Sequence, residues 1–64
     1  MRNTERELII ENALREYNDA KRAGDGEKIA RAVNNMENVF CCVCLHRVRG
    51  TEALRQAIIK EKYN

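Results

Sequence analysis

Glycine and proline constrain this chain more than any other residues. The 64 residues contain no proline and three glycines, which stand at only two places, Gly24 with Gly26 and Gly50. Because glycine commonly follows the last turn of a helix, and proline would interrupt one, the sequence predicts three helices separated at these two places. We therefore expect an all-α fold in one small domain, residues 1–64, with helices at 5–23, 26–49 and 52–62.

Polar residues at the expected helix starts agree with this division. Thr4 and Glu7 have the spacing of a capping box, in which each side chain accepts a hydrogen bond from a backbone amide of the first turn. Asp25 follows Gly24 and is a suitable N-cap for the second helix. Thr51 follows Gly50 in the same way and should cap the third helix. The sequence thus predicts both the ends and the order of the helices.

Apolar periodicity predicts how the first two helices pack. At 100° per residue, one face of the first helix is apolar and the opposite face is polar. That apolar face contains Ile9, Ile10, Ala13, Leu14, Tyr17 and Ala20. The matching stripe of the second helix contains Ile29, Ala32, Val33, Met36, Val39, Phe40, Val43 and Cys44. Because the connection is short, we expect an antiparallel helical hairpin.

The run of seven apolar residues at 39–45 makes the end of the second helix apolar on nearly all sides. Cys41, Cys42 and Leu45 should project away from the first helix, and an all-round apolar helix is typical of a buried one. A third helix can cover part of this surface through Leu54, Ala57 and Ile58. We expect a second copy of the chain to cover the rest, which gives a homodimeric helical bundle.

A strand is the alternative for residues 39–48. Valine, phenylalanine and cysteine suit a strand as well as a helix, but the chain has no second strand-like segment. A strand here would have to pair with another copy or with the sheet edge of another protein. The strand alternative therefore also predicts that the chain associates with another chain.

The cysteines and the polar N-terminal residues indicate the cellular compartment in which we expect the protein. Three cysteines within four positions cannot all pair inside one chain, so we expect free thiols and a cytoplasmic protein. Seven apolar residues cannot cross a bilayer, and the first seven residues are too polar for a signal peptide. We expect no membrane association.

Metal or cofactor chemistry is not expected from these thiols. On a helix, the Cys41 and Cys44 pair points away from the Cys42 and His46 pair, so four ligands cannot converge on one metal ion. A two-chain metal site built from Cys42 and His46 of both copies is the alternative. His46, together with Arg47 and Arg49, more simply complements the dipole at the C-terminal end of the helix.

The sequence contains no nucleophile and base, no carboxylate pair and no phosphate loop, so we do not expect an enzyme. We expect a regulatory or inhibitory module that binds an unidentified protein through an apolar helix surface with a basic rim. The predicted contact residues are Cys41, Cys42, Leu45, Arg47, Val48 and Arg49. The alternative is a nucleic-acid-binding helical dimer, because residues 46–64 carry five basic and two acidic side chains. Its predicted contacts are Arg47, Arg49, Arg55, Lys60 and Lys62.

Overall fold

Three α-helices make up the fold in the computed structural model, which describes residues 3–63. They are α1 (Asn3–Ala23), α2 (Gly26–Val43) and α3 (Thr51–Tyr63). No strand occurs in the described part of the chain, so the all-α prediction is confirmed and the strand alternative for residues 39–48 is wrong. The three helices pack into a body that measures 33 × 20 × 14 Å.

The connection between α1 and α2 follows the predicted signals. Gly24 adopts a left-handed φ of 70°, and its amide donates to the carbonyl of Ala20 at 3.0 Å. The Asp25 carboxylate accepts from the amides of Glu27 at 3.1 Å and Lys28 at 3.3 Å. These bonds satisfy backbone groups that the helix ends leave unpaired. Only two residues separate the helices, so α1 and α2 form the expected antiparallel hairpin.

The start of α1 differs from the prediction. The helix begins at Asn3, so Thr4 lies inside the first turn and does not act as the N-cap. A capping box favours a helix start at a given residue, but it does not prevent the residues before it from taking helical angles. The Thr4 and Glu7 pattern therefore marked the correct region and not the correct residue.

One core lies between the three helices. Ile10, Met36, Val43 and Leu54 are its largest fully buried side chains. The other buried members are Ala13, Tyr17, Ala20, Ala32, Val33, Val39 and Val48, and Leu14, Ile29, Phe40, Ala57 and Ile58 pack against them. The predicted apolar faces of both hairpin helices are therefore confirmed for most members. Leu54, Ala57 and Ile58 lie in or against this core, but they do not cover Cys41, Cys42 and Leu45, which are exposed.

Two residues predicted for the buried faces lie outside the core. Ile9 is 37% exposed, because consecutive residues on a helix are about 100° apart and Ile10 takes the position that points inward. Cys44 is exposed because it is the first residue after α2.

The early end of α2 is the main correction to the sequence prediction. The predicted helix ran to residue 49, but α2 ends at Val43, and residues 44–50 form a turn in which Arg47 has a left-handed φ of 50°. In a continuous helix, Val48 would point about 140° away from Val43 and would leave the core. In the turn, Val48 is buried, with 4% of its surface exposed.

Gly50 allows α3 to begin close against α1. Its φ is 93°, and a Cβ atom at this residue would lie 3.2 Å from the Cγ2 atom of Ile10. The first helical bond of α3 runs from the Leu54 amide to the Gly50 carbonyl at 3.0 Å. The predicted N-cap role of Thr51 is wrong, because its hydroxyl donates to the carbonyl of Val48 at 2.7 Å. Thr51 therefore closes the turn.

Polar contacts hold the far end of α3 on the hairpin. The Tyr17 hydroxyl donates to Oε2 of Glu61 at 2.7 Å, and Nζ of Lys21 lies 3.2 Å from the same oxygen. Burial of the ring and the Glu61 carboxylate together raise the pKa of Tyr17 to about 12. Donation from Tyr17 and Lys21 lowers the pKa of Glu61. Lys62 pairs with Glu37 of α2 at 3.1 Å, so α3 contacts both hairpin helices.

Candidate protein-interaction surface

Seven exposed side chains surround the C-terminal end of α2, and we call them the thiol surface. They combine three free thiols, one leucine, one histidine and two arginines. Leu45 is 87% exposed, the largest exposed fraction among the exposed large apolar residues of the described chain. The members are Cys41, Cys42, Cys44, Leu45, His46, Arg47 and Arg49.

Backbone bonds and two buried valines hold this surface against the helix end. The Cys44 amide donates to the Phe40 carbonyl at 2.9 Å, and the His46 amide donates to the Val43 carbonyl at 3.0 Å. Val43 is 1% exposed on one side of Leu45, and Val48 is 4% exposed on the other. Leu45 is thus presented from a turn whose two flanks are anchored in the core.

Five of the six predicted partner contacts are exposed in the structure. Cys41, Cys42, Leu45, Arg47 and Arg49 are all exposed around the end of α2. Val48, the sixth, was predicted at the surface because the helix was expected to continue; it is a core residue instead.

The early end of α2 changes the geometry predicted for Cys42 and His46. Cys42 is in α2 and His46 is in the turn, so the helical i, i+4 spacing predicted for a two-chain metal site does not exist. Within the described residues, no three cysteine, histidine or acidic side chains lie close enough to hold a metal ion. The last turn of α2 contains no basic residue, because His46, Arg47 and Arg49 follow the helix instead of ending it.

Positive charge at the thiol surface is not neutralised locally. The sequence has no acidic residue between Glu37 and Glu52, and neither Arg47 nor Arg49 forms an ion pair with a described side chain. The surface therefore presents apolar groups beside two unpaired cations, a combination suited to an apolar partner with carboxylates at its edge.

Two of the other three predicted nucleic-acid contacts differ from Arg47 and Arg49, because they form ion pairs with acidic side chains. Arg55 lies 3.2 Å from Glu52, and Lys62 lies 3.1 Å from Glu37. Hydrogen bonding from Gln56 and Arg55 lowers the pKa of Glu52. Lys60 is exposed on α3. Two of the five basic residues proposed for phosphate binding are thus paired within the chain.

A groove at the edge of the thiol surface was not predicted from the sequence. It lies between α1 and α2, has a volume of about 370 Å³, and includes Cys42 in its lining. The other lining residues are Arg6, Ile9, Asn38, Val39 and Val43. The sequence pattern that indicates this groove is the 100° step from Ile10 to Ile9. This step places Ile9 at the edge of the core and leaves it half-exposed beside α2.

None of the helices in residues 3–63 has the length and apolar composition needed to cross a bilayer. Comparison with known proteins adds no relative: no protein-family model, no curated protein and no solved structure matches this chain.

Proposed function

We propose that this protein is a small regulatory or inhibitory module without enzymatic activity, which binds a partner protein through the thiol surface. Leu45 and the adjacent thiols make the apolar contact, and Arg47 with Arg49 forms the basic rim. The partner surface is apolar at its centre and acidic at its edge.

The exposure of Leu45 is the observation that carries this proposal. A chain of this size has little apolar surface to spare, since a domain of about 60 residues buries only about 60% of its unfolded surface. Leu45 nevertheless stands 87% exposed, on a turn fixed by Val43 and Val48. A fixed, exposed leucine beside unpaired arginines resembles the anchor of a binding site, because little ordering entropy is lost when it is covered.

We also propose that the chain forms a homodimer. This assembly would cover apolar surface that α3 leaves open, including the groove around Cys42. Cys42 then belongs to the dimer contact, and the other members of the thiol surface face a different protein.

Nucleic-acid binding is the second candidate, favoured by the unpaired Arg47 and Arg49. The two candidates respond differently to salt, because binding to phosphates releases counterions and weakens steeply as salt rises. An apolar protein contact changes far less.

Capture from a lysate of the native cell tests the proposal. A tagged chain should retain a protein partner at high salt and after nuclease treatment, whereas Leu45→Asp should lose it. Leu8→Asp is the matched control, because Leu8 is also exposed, at 55%, and belongs to α1 and not to the turn. Equal capture by all three chains would contradict the proposal. Retention that disappears with nuclease, and after Arg47→Ala with Arg49→Ala, would support the nucleic-acid candidate instead.

A further inference from the structure

The hairpin has one open face, on the side away from α3. The contacts of α3 fall on Tyr17 and Lys21 of α1 and on Glu37 of α2. The open face carries two grooves, both lined by described residues of α1 and α2. One is the groove around Cys42, and the other lies nearer the hairpin connection.

Charge is separated across the second groove. On the α1 side, Glu16 and Asp19 line it, and on the α2 side, Lys28 and Arg31 line it. Between them the lining consists of small residues, Ala20, Ala23 and Ala32. The groove has a volume of about 320 Å³. One edge of the open face is therefore acidic, the opposite edge is basic, and the strip between them is lined by alanines.

The side chains on the two edges are only weakly engaged within the chain. Asn35 donates to Glu16 at 3.5 Å, the limit of a hydrogen bond, and Arg31 pairs with Glu27 at 2.9 Å where both side chains are about three-quarters exposed. Asp19 and Lys28 form no ion pair with a described side chain. Exposed pairs of this kind contribute little to stability, so these groups can change partners at little cost.

We propose that the open face binds a second copy of the chain around a two-fold axis parallel to α1 and α2. This inference rests on the homodimer in the proposed function and specifies its face. The rotation places the acidic α1 edge of each copy against the basic α2 edge of the other, so the same complementary contact forms twice, as an isologous interface requires. The alanines of the groove allow the backbones to approach closely.

The same arrangement covers the apolar groove and leaves the thiol surface open, except for Cys42. At the other end of the face, Ile9 of each copy lies against Val39 and Cys42 of the other. A two-fold axis parallel to the helices keeps both turns at one end of the dimer. Cys42 becomes covered, whereas Cys41, about 100° away on α2, stays accessible. The dimer therefore presents two copies of Leu45 and its arginines side by side.

A charge-reversal mixture tests the face directly. One variant carries Glu16→Lys and Asp19→Lys, so that both of its edges are basic, and the other carries Lys28→Glu and Arg31→Glu, so that both are acidic. Each variant alone should dimerise at least tenfold more weakly than the unmodified chain. Their mixture should form heterodimers about as tightly as the unmodified chain, because each contact again joins an acidic edge to a basic one. Native mass spectrometry distinguishes these dimers.

A control variant distinguishes the effect of net charge from the effect of where the charges lie. Glu11→Lys with Glu52→Lys changes the net charge as much as the first variant does, at exposed residues outside the open face, and should dimerise like the unmodified chain. A second readout is alkylation: in chains with a single cysteine, Cys42 should react several-fold more slowly above the dimer dissociation constant than below it, and Cys41 should not change.

The outcomes separate this inference from the proposed function. A dimer whose charge-reversal mixture shows no recovery would overturn the open face as its interface, and the homodimer would stand. A chain that remains monomeric at every concentration would overturn both the face and the homodimer. Capture of a partner through Leu45 would be unaffected in either case.

Discussion

The two connections between helices differ in how they are determined. Residues 24 and 25 join α1 to α2 through local signals: a left-handed glycine, and an aspartate whose carboxylate caps the next helix. Residues 44–50 join α2 to α3 through contacts distant in sequence, because Val48 must reach the core and Gly50 must pass close to Ile10. Local chemistry determines the first connection, and tertiary packing determines the second.

Alanine at the three glycines should show this difference most strongly. Gly50→Ala should lower the free energy of unfolding by about 2–4 kcal/mol, because a side chain at its φ is strained and its Cβ would crowd Ile10. Gly24→Ala should cost about 1–2 kcal/mol, since its φ is also left-handed but no atom lies within 4 Å. Gly26→Ala, at a helical position with open space around it, should be neutral or stabilising. Urea unfolding followed by circular dichroism measures all three, and equal effects at Gly50 and Gly24 would contradict the comparison.

Within the second connection, Val48 and Leu45 should behave in opposite ways. Val48→Ala should cost about 2 kcal/mol, because it removes buried methyl groups and leaves a cavity. Leu45→Ala should change the stability of the monomer by less than about 0.5 kcal/mol, since the side chain is 87% exposed. Thermal unfolding of both variants at a concentration below dimer formation checks this. A large loss from Leu45→Ala would show that this residue has a structural role.

The first connection should respond to the loss of its cap. Asp25→Ala should destabilise the chain by about 1 kcal/mol, because it leaves the amides of Glu27 and Lys28 without their acceptor. Asp25→Asn keeps an acceptor oxygen at the same place and should recover most of that loss. Urea unfolding of the two variants decides whether the side chain acts as a cap.

The contact between α1 and α3 should have the smallest effect at neutral pH and a distinct pH dependence. Because folding raises the pKa of Tyr17 from 10.0 to about 12, its contribution is present below pH 10 and is lost as the pH rises toward 12. The lowered pKa of Glu61 acts on the acid side, where stability falls as the pH drops below the usual carboxyl range.

Two tyrosine variants isolate this dependence. Tyr17→Phe should remove most of the stability change between pH 10 and 12, whereas Tyr63→Phe should not, because Tyr63 is 79% exposed. Unfolding measured over a pH series provides the test. The same alkaline slope in both variants would mean that Tyr17 is not the titrating group.

The sequence was sufficient to predict the fold wherever the signals were local. Gly24 and Asp25 marked a turn that needs no distant contact, and the spacing of apolar residues identified the buried faces of α1 and α2. The end of α2 could not be read in this way. Residues 44–49 have no glycine or proline, and burial of Val48 and Leu54, which depends on distant contacts, favours the turn over continued helix.

The candidate site was predicted in part for the same reason. Cys41 and Cys42 lie outside the apolar stripe of α2, so periodicity placed them away from α1, whereas the exposure of Leu45 depends on the turn. Val48 was misplaced because its position depends on the turn. The two edges of the open face were also missed, since recognising that Glu16 and Asp19 lie opposite Lys28 and Arg31 requires the pairing of the two helices.

Alkylation of individual thiols tests the central claim most directly, namely that the thiol surface binds another protein. The chain is treated with a maleimide either purified or in a lysate of the native cell, at high salt and after nuclease, and each cysteine is read by mass spectrometry. We predict that Cys41 and Cys44 react readily in the purified protein and several-fold more slowly in the lysate, with the protection lost in Leu45→Asp. Equal rates in both settings would contradict the claim.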